Sequence, residues 1–508
     1  MASARPKSSQ ELVPGALSDF SGGPNLRDAA SELAQNEFED AWNITLDERG
    51  GAASRLGYAK RNATPLGGAG DLIVNDTWSR LLSKWVTQAG KSLYLNNGAV
   101  PVHTFTTADC VTFAETDDKL VAAHPVDGLW TSPDGTVWTQ LVGANVPTAP
   151  LCVAAWEAKL WVGLADGSVH WSAIGDITTW NVNDFNEIWT IDQQPIVNLH
   201  VGSGQDIQGR PGLLAFKNES VYRINDPSDG AYTVIDATNG CGGPKAVVGV
   251  GARVCWIGKN GVFWWREDQA QPVSVSDLLQ RLWRTDQVNI SVQAGWCAGR
   301  RLNRAYFSLA RAGSTVNDTS FELHPDQGWF VPRSDAMSCY ATSSGADEIT
   351  SGGSPTQVGQ CYELDTGGTD DGAAIDWRMQ TRWIVLNGGY DAYVWQARIH
   401  GRGQGICTIR TSYEDEGGTD KPFDLDQVVP NWDSGTFWDS GSYWQVPVLQ
   451  TTQALLSIGR CRQFSLRFSG SSTTTAFASQ IFASGTQPVV GAFGLFGIEY
   501  LFVPLGLS

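Results

Sequence analysis

Methionine is scarce in this 508-residue chain, at 3 positions, and charged residues make up only 17%, against about 25% in an ordinary soluble protein. Cysteine is present but unpaired in pattern. Nine residues fall at 110, 152, 241, 255, 297, 339, 361, 407 and 461, an odd number with no C-x-x-C among them. That argues against both a structural zinc site and a disulfide framework. Several lie inside strand-like runs such as Val254-Cys255-Trp256 and Ile406-Cys407-Thr408, where cysteine behaves as a small hydrophobe. A reducing cytosol is the expected place of folding.

The motifs that organise common catalysis are missing too. There is no G-x-x-x-x-G-K-[ST] loop to cradle phosphate, no G-x-S-x-G elbow and no H-E-x-x-H, which removes three large enzyme classes. The six histidines, at 103, 124, 170, 200, 324 and 400, stand far apart and read as structural. The first ten residues contain no apolar core of a secretion signal. The one long apolar run, residues 489–506, is interrupted by Glu499, Pro504 and four glycines. Two buried strands fit it better than a membrane helix.

What the chain has in quantity is glycine, at 56, and tryptophan, at 22. Many turns and flat aromatic side chains with few helix formers predict an all-β protein. Helical periodicity is confined to residues 31–43, where Leu33, Phe38 and Trp42 form no continuous stripe, and to residues 276–285. Net charge is −18, from 35 Lys+Arg against 53 Asp+Glu. A groove that grips nucleic acid needs the opposite balance. An acidic wall past which DNA slides without sticking does not.

The organising signal is a repeat: an apolar strand, a tight Gly/Asp turn, then a strand rich in Trp or Tyr. The copies start at Leu120, Leu160, Leu213, Val254 and Ala305, which are 40, 53, 41 and 51 residues apart. One candidate precedes them at Trp85, and a degenerate one follows, Cys339-Tyr-Ala with Gln360-Cys-Tyr-Glu-Leu364. Four strands per ~40–50 residues is the spacing of a radial sheet repeat, since one such sheet cannot bury both faces alone. A β-propeller of six to eight blades is expected over residues 72–364, with seven candidates in view. Residues 181–212 read as a long polar insertion.

Residues 1–71 read as a flexible arm and an extended strap, and the Asp/Gly-rich stretch 365–372 as a linker. That stretch is close to a calcium loop only in composition, since D-x-[DN]-x-[DN]-G is not matched. Residues 373–508 alternate with period two in longer strands, which predicts a C-terminal β-sandwich. Gly401-Arg-Gly-Gln-Gly405 reads as a hairpin turn.

Ser132-Pro-Asp-Gly-Thr-Val-Trp138 resembles the Asp-box of sialidase-type propellers, one residue short between Asp and Gly, and reads as a structural turn. Trp432, Trp438 and Trp444 punctuate a repeated W-D-S-G unit. Exposed, they would stack on sugars or fill a partner's pocket; buried, they would staple a loop. No catalytic residue, metal ligand or cofactor site is nominated.

Three segments carry a family resemblance: Phe20-Ser-Gly-Gly-Pro-Asn25-Leu-Arg, Asn36-Glu-Phe-Glu-Asp-Ala-Trp42-Asn-Ile, and Gly51-Ala-Ala-Ser-Arg55-Leu-Gly-Tyr58. They resemble the opening of tail hub or nozzle proteins of short-tailed bacteriophages. The pairs Leu213–Ile224 and Val169–Trp180 are similar to that family's propeller strands. The resemblance implies a structural virion protein, not an enzyme and without a cofactor. It would form a homo-hexameric tube below the portal and its adaptor, carry fibres or a needle, and close a channel that passes double-stranded DNA without binding it. On that reading Phe20, Asn25, Trp42, Arg55 and Tyr58, with the three tryptophans, are the expected contacts to neighbours. The alternative is a tail-tip propeller that binds or degrades glycans.

Overall fold

A computed structural model of the chain describes residues 13–29, 32–46, 51–189, 193–202, 212–279, 283, 287–343, 348–386, 392–403, 406–412, 420–424, 452–456, 459–472 and 493–504. The chain divides into two compact units: Tyr58–Thr366, and a discontinuous one of Met1–Gly57 with Gly367–Ser508.

The first unit is a β-propeller. Six blades are four-stranded antiparallel sheets of consecutive strands. Blade 1 is Ile73–Ser79, Lys84–Ala89, Ser92–Leu95 and Pro101–Thr104. Blade 2 is Thr112–Glu115, Leu120–His124, Gly128–Ser132 and Thr139–Gln140. Blade 3 is Cys152–Trp156, Lys159–Gly163, Ser168–Trp171 and Phe185–Glu187. Blade 4 is Asn198–Val201, Leu213–Phe216, Val221–Ile224 and Tyr232–Asp236. Blade 5 is Val247–Val250, Arg253–Gly258, Gly261–Trp265 and Val273–Ser274. Blade 6 is Cys297–Arg301, Arg304–Leu309, Thr319–His324 and Trp329–Arg333.

A seventh set of strands closes the ring. Tyr340–Thr342, Thr350–Gly353 and Cys361–Leu364 are completed by Tyr58–Lys60, from ahead of blade 1, with Leu364 opposite Tyr58 and Tyr362 opposite Lys60. The chain is thereby tied on both sides of the seam. Ser351 Oγ donates to Asp76 of blade 1 at 2.9 Å, and Ser338 Oγ to the Ile73 carbonyl at 2.7 Å.

The core lies between blades. Along Leu120–His124, alternate side chains point to opposite faces. Leu120 and Ala122 therefore pack with Val86 and Leu93 of blade 1, while Val121 and Ala123 pack with Val153, Leu160 and Val162 of blade 3. Burial on both faces explains why the second strand of a blade reads as an unbroken apolar run rather than an alternation.

The second unit contains two sheets built jointly from N- and C-terminal strands. In one, Val13–Leu17, Ile44–Leu46 and Ala52–Ser54 join Ala392–Gly403, Thr452–Leu456, Gly459–Cys461 and Phe493–Pro504. In the other, Gly23–Pro24 and Glu37–Trp42 pair in parallel, and Glu37–Trp42 then runs against Ala373–Thr381. Gln463–Ser472, Ile384–Val385, Ile406–Ser412 and Asp420–Asp424 continue that sheet. Phe464 and Tyr500, one from each sheet, meet edge to face at 5.4 Å.

Several expectations are corrected. Residues 13–57 are not a strap: they supply five strands to these sheets, so no sandwich is made by residues 373–508 alone. The weak helical stripe at 31–43 contains the strand Glu37–Trp42. Residues 181–212 are no simple insertion, since they hold the last strand of blade 3 and the first of blade 4. The apolar run 489–506 contributes one strand of 12 residues, Phe493–Pro504. Residues 401–403 end the strand Ala392–Gly403, which lies in a different sheet from Ile406–Ser412, so these two strands do not pair as a hairpin. Within 365–372, Asp365 is buried among arginines and Thr369–Asp370 pairs with Ala373–Ala374. Near the expected helix at 276–285, Ser276–Leu279 forms a 3-10 turn.

Candidate interaction surfaces

The residues expected to face neighbours are largely held inside their own unit. Phe20 is 1% exposed and stacks on Phe38, ring centroids 5.2 Å apart. Asn25 is buried, its amide donating to Asp28 at 2.9 Å and Glu37 at 3.1 Å while its oxygen accepts from the Arg27 and Asp28 N–H groups. Arg55 is 1% exposed and gives Nε–H to Asn43 at 2.9 Å and both terminal nitrogens to Asp370, at 2.8 and 2.5 Å. A buried guanidinium persists only when paired in this way. Asn43 adopts φ +53°, and its amide reaches the Asp376 carbonyl at 2.7 Å.

Trp42 is half-buried beneath the Arg378 guanidinium, 5.6 Å above its ring, and Tyr58 packs on Tyr362 at 4.5 Å. The three motif segments are thus internal ties in the first place. Trp432, Trp438 and Trp444 lie outside the described residues.

The Asp-box-like turn is a local brace. The Asp134 carboxylate accepts from the Thr136 N–H and hydroxyl and from the Val137 N–H, and the buried Trp138 indole donates to the Gly135 carbonyl at 3.2 Å. Blade 3 repeats the arrangement: Asp176 accepts from Thr178 and Thr179, and Trp180 donates to Ile177 at 2.9 Å. Those donors, the Thr178 and Thr179 hydroxyls first, hold Asp176 down to about 2.

Beside blade 2 runs a groove of about 510 Å³. One side comes from the end of blade 1 (Thr106), another from the turn and strand 126–130, and a third from residues 140–148. Asp127 is fixed there by the Thr106 N–H at 2.7 Å and hydroxyl at 2.6 Å. Burial works to raise this carboxyl, but the Thr106 donors and the nearby His124 and His103 bring it below the ordinary value. Trp130 lines the same groove, with His103 against its ring at 4.1 Å and its indole N–H given to the Asp127 carbonyl.

Two features were not foreseen. Between blade 6 and the closing strands, Arg333 is 1% exposed and contacts Glu322, Asp335 at 2.5 Å and Asp365 at 3.1 Å. Arg304 joins Glu322 at 2.9 Å, Arg301 joins Asp365 at 3.2 Å, and the Tyr306 hydroxyl donates to Asp365 at 2.6 Å. Burial acts to raise Asp365, yet Arg333 and Arg301 hold it well below the carboxylate range. Lys245, on the approach to blade 5, is the second: its Nζ donates to the Val74 carbonyl ahead of it in blade 1 and to Ser338 before the closing strands, both at 2.7 Å. The only sequence sign of the first was a charge inside an apolar strand, Trp329-Phe-Val-Pro-Arg333. The second left no sign.

Among the described residues, no three His, Cys, Asp or Glu side chains converge as a metal ion would require. No helix there is long and apolar enough to cross a membrane.

No family model matches the chain, and no curated protein does. Among solved structures, it is similar to a computationally designed protein, Ika8, at 12% identity and TM-score 0.34, over 60% of this chain and 100% of that one. It is also similar to a chain of the mitotic checkpoint complex, at 12% identity and TM-score 0.41, over 61% and 99%. Likenesses at that level carry no functional argument. The propeller rests on its own strand pairing.

Proposed function

We propose that this chain is a structural protein of a bacteriophage tail, a nozzle or hub that continues and closes the DNA exit channel below the portal and adaptor. The observation that carries the reading is the set of opening motifs. Of their residues, Phe20 and Asn25 are buried against Phe38, Asp28 and Glu37 of the same N-terminal segment, and Arg55 is tied to Asp370 of the C-terminal one. A resemblance held by such residues follows architecture rather than a loop composition that many proteins share. The rigid β construction suits a wall, and the net charge of −18 suits a surface that passing DNA does not grip.

On this reading the chain is no enzyme and needs no cofactor. It assembles in the host cytoplasm into a ring of copies, six by the family's pattern, and resides in the virion. Its partners are the head–tail adaptor, fibre or needle proteins and the passing duplex. Cryo-EM of the virions whose genome encodes this chain is the test. Density for it around a six-fold tail channel is the expected result; its absence from the tail, or its placement off the axis, would refute the proposal.

A further inference from the structure

We infer that the groove beside blade 2 is a binding site for an uncharged saccharide of one or two rings. The inference is independent of the tail reading, because it stands on the groove alone. Its volume, about 510 Å³, lies within the ~300–1,000 Å³ of small-molecule sites. The lining alternates two kinds of surface. Trp130, Leu141 and Val142 give carbon faces, and Thr106, Asp127, Gln140 and Thr148 give polar edges. A pyranose has the same division, with apolar C–H faces and a hydroxyl perimeter.

The details favour that class over others. Trp130 has already given its indole N–H to the Asp127 carbonyl, so what it presents to the groove is carbon. The Asp127 carboxylate is oriented by two donors from Thr106, and an ionised carboxylate only accepts. Its remaining lone pairs call for hydroxyl donors, which sugars supply in number. Gln140 has its Nε2 tied to the Asp127 carbonyl at 2.8 Å, which fixes the orientation of its amide. No Lys, Arg or His lines the groove. A phosphate, a sialic acid or a nucleic acid would therefore meet one negative charge and no positive one. At the mouth, Val126 and Val142 stand 56% and 75% exposed, apolar lips that a sugar face would cover.

The test is titration of the purified full-length chain, followed by intrinsic tryptophan fluorescence and by saturation-transfer NMR. The probes are maltose, cellobiose, lactose and chitobiose, with sialyllactose as the anionic control. Saturable binding of at least one neutral disaccharide is expected at a Kd on the order of 1 mM. Val142→Arg, which fills the mouth from an exposed position, should abolish it. Gln140→Ala should weaken it about tenfold, the loss of one well-placed hydrogen bond. Both variants should melt where the parent does, which separates loss of the site from loss of the fold. Absence of saturable binding with every neutral probe overturns the inference. So does binding that Val142→Arg leaves unchanged, or preference for sialyllactose. A virion reconstruction that failed to find the chain in the tail would leave this result untouched.

Discussion

Blade 2 and blade 6 are the same four-stranded unit, and they finish differently at the rim. Blade 2 ends in a two-residue strand, Thr139–Gln140, exposed at both positions. Blade 3 ends in three, Phe185–Glu187, and blade 5 in two, Val273–Ser274. Short edges like these leave few unpaired backbone groups to recruit a stray strand. Blade 6 instead ends in Trp329–Arg333, five residues all buried. What covers it is the connection from blade 5, whose 3-10 turn Ser276–Leu279 lies against it, while the Trp283 ring sits 6.1 Å from Phe321 on the neighbouring strand Thr319–His324. A covered edge can be long and can carry charge inward. Its last residue, Arg333, is the centre of the three-acid cluster. The open side keeps its polar groups at the surface, where water and ligands reach them; the covered side uses them to hold the seam.

The largest effect should come from breaking the covered side. Arg333→Met leaves Glu322, Asp335 and Asp365 buried with less compensation. Removing one member of a buried ionic cluster costs about 3–5 kcal/mol. Denaturant unfolding, with hydrogen exchange on 340–364 as the local probe, should show that loss concentrated at the closing strands. Unfolding indistinguishable from the parent would mean that the cluster is not what holds the seam.

A smaller loss is expected from Lys245→Met, which keeps the aliphatic length and removes the donor to Val74 and Ser338. Depriving these partly buried carbonyls of a donor costs up to about 1–3 kcal/mol, the penalty for a fully buried group. Thermal unfolding measures it, and exchange should quicken at blade 1 and the closing strands rather than at blade 3.

How much of this was legible follows from which faces were buried. The repeat starts at Trp85, Leu120, Leu160, Leu213, Val254 and Ala305 all fall on the second strands of the six blades, because interior strands packed on both sides carry long apolar runs. First strands such as Asn198–Val201 and last strands such as Thr139–Gln140 went unread, being short and polar or half-exposed. Thr350–Gly353, Thr-Ser-Gly-Gly, has no apolar residue to betray a strand, yet all four positions are buried. The pairing of Val13–Leu17 with the far end of the chain, Leu17 opposite Ile498, is a long-range choice that no local pattern encodes. At the candidate sites, Arg55 is expected from the sequence as a contact to a neighbour, and the structure shows it paired with Asn43 and Asp370 of its own chain. Charge in a sequence does not announce whether its partner is inside or outside the molecule. The groove could not be foreseen, since Thr106, Asp127 and Gln140 come from three separate segments.

Acid offers a third way to sharpen the contrast. His200, on the first strand of blade 4, is held neutral down to about 4 by burial and by the Arg300 charge, below an ordinary 6.5. His103, His124 and His170 shift in the same direction, burial being the main cause in each. A histidine with a depressed folded value binds its proton first in the unfolded chain. Stability is therefore complete above pH 6.5 and falls as pH drops from there toward about 4. The unfolding midpoint should decline across that window, and His200→Gln should flatten the decline without moving the midpoint at pH 8 by comparison. An unchanged slope in the variant would place the acid sensitivity in the other histidines.

The smallest effect belongs to the open side. Val142, Ile174 and Val182 are 75%, 74% and 68% exposed, so most of their apolar surface stays in water on folding. Replacing each by Ser should change stability by no more than about 0.5 kcal/mol, as surface substitutions do. The three together should stay nearly additive wherever they share no partner. Chemical denaturation of the triple variant checks this, and the direction of any departure is informative. A loss well beyond that sum would mean that these side chains are covered in solution by another surface, and the contrast between an open and a covered rim would then be one between two covered rims, only one of them covered by the propeller's own chain.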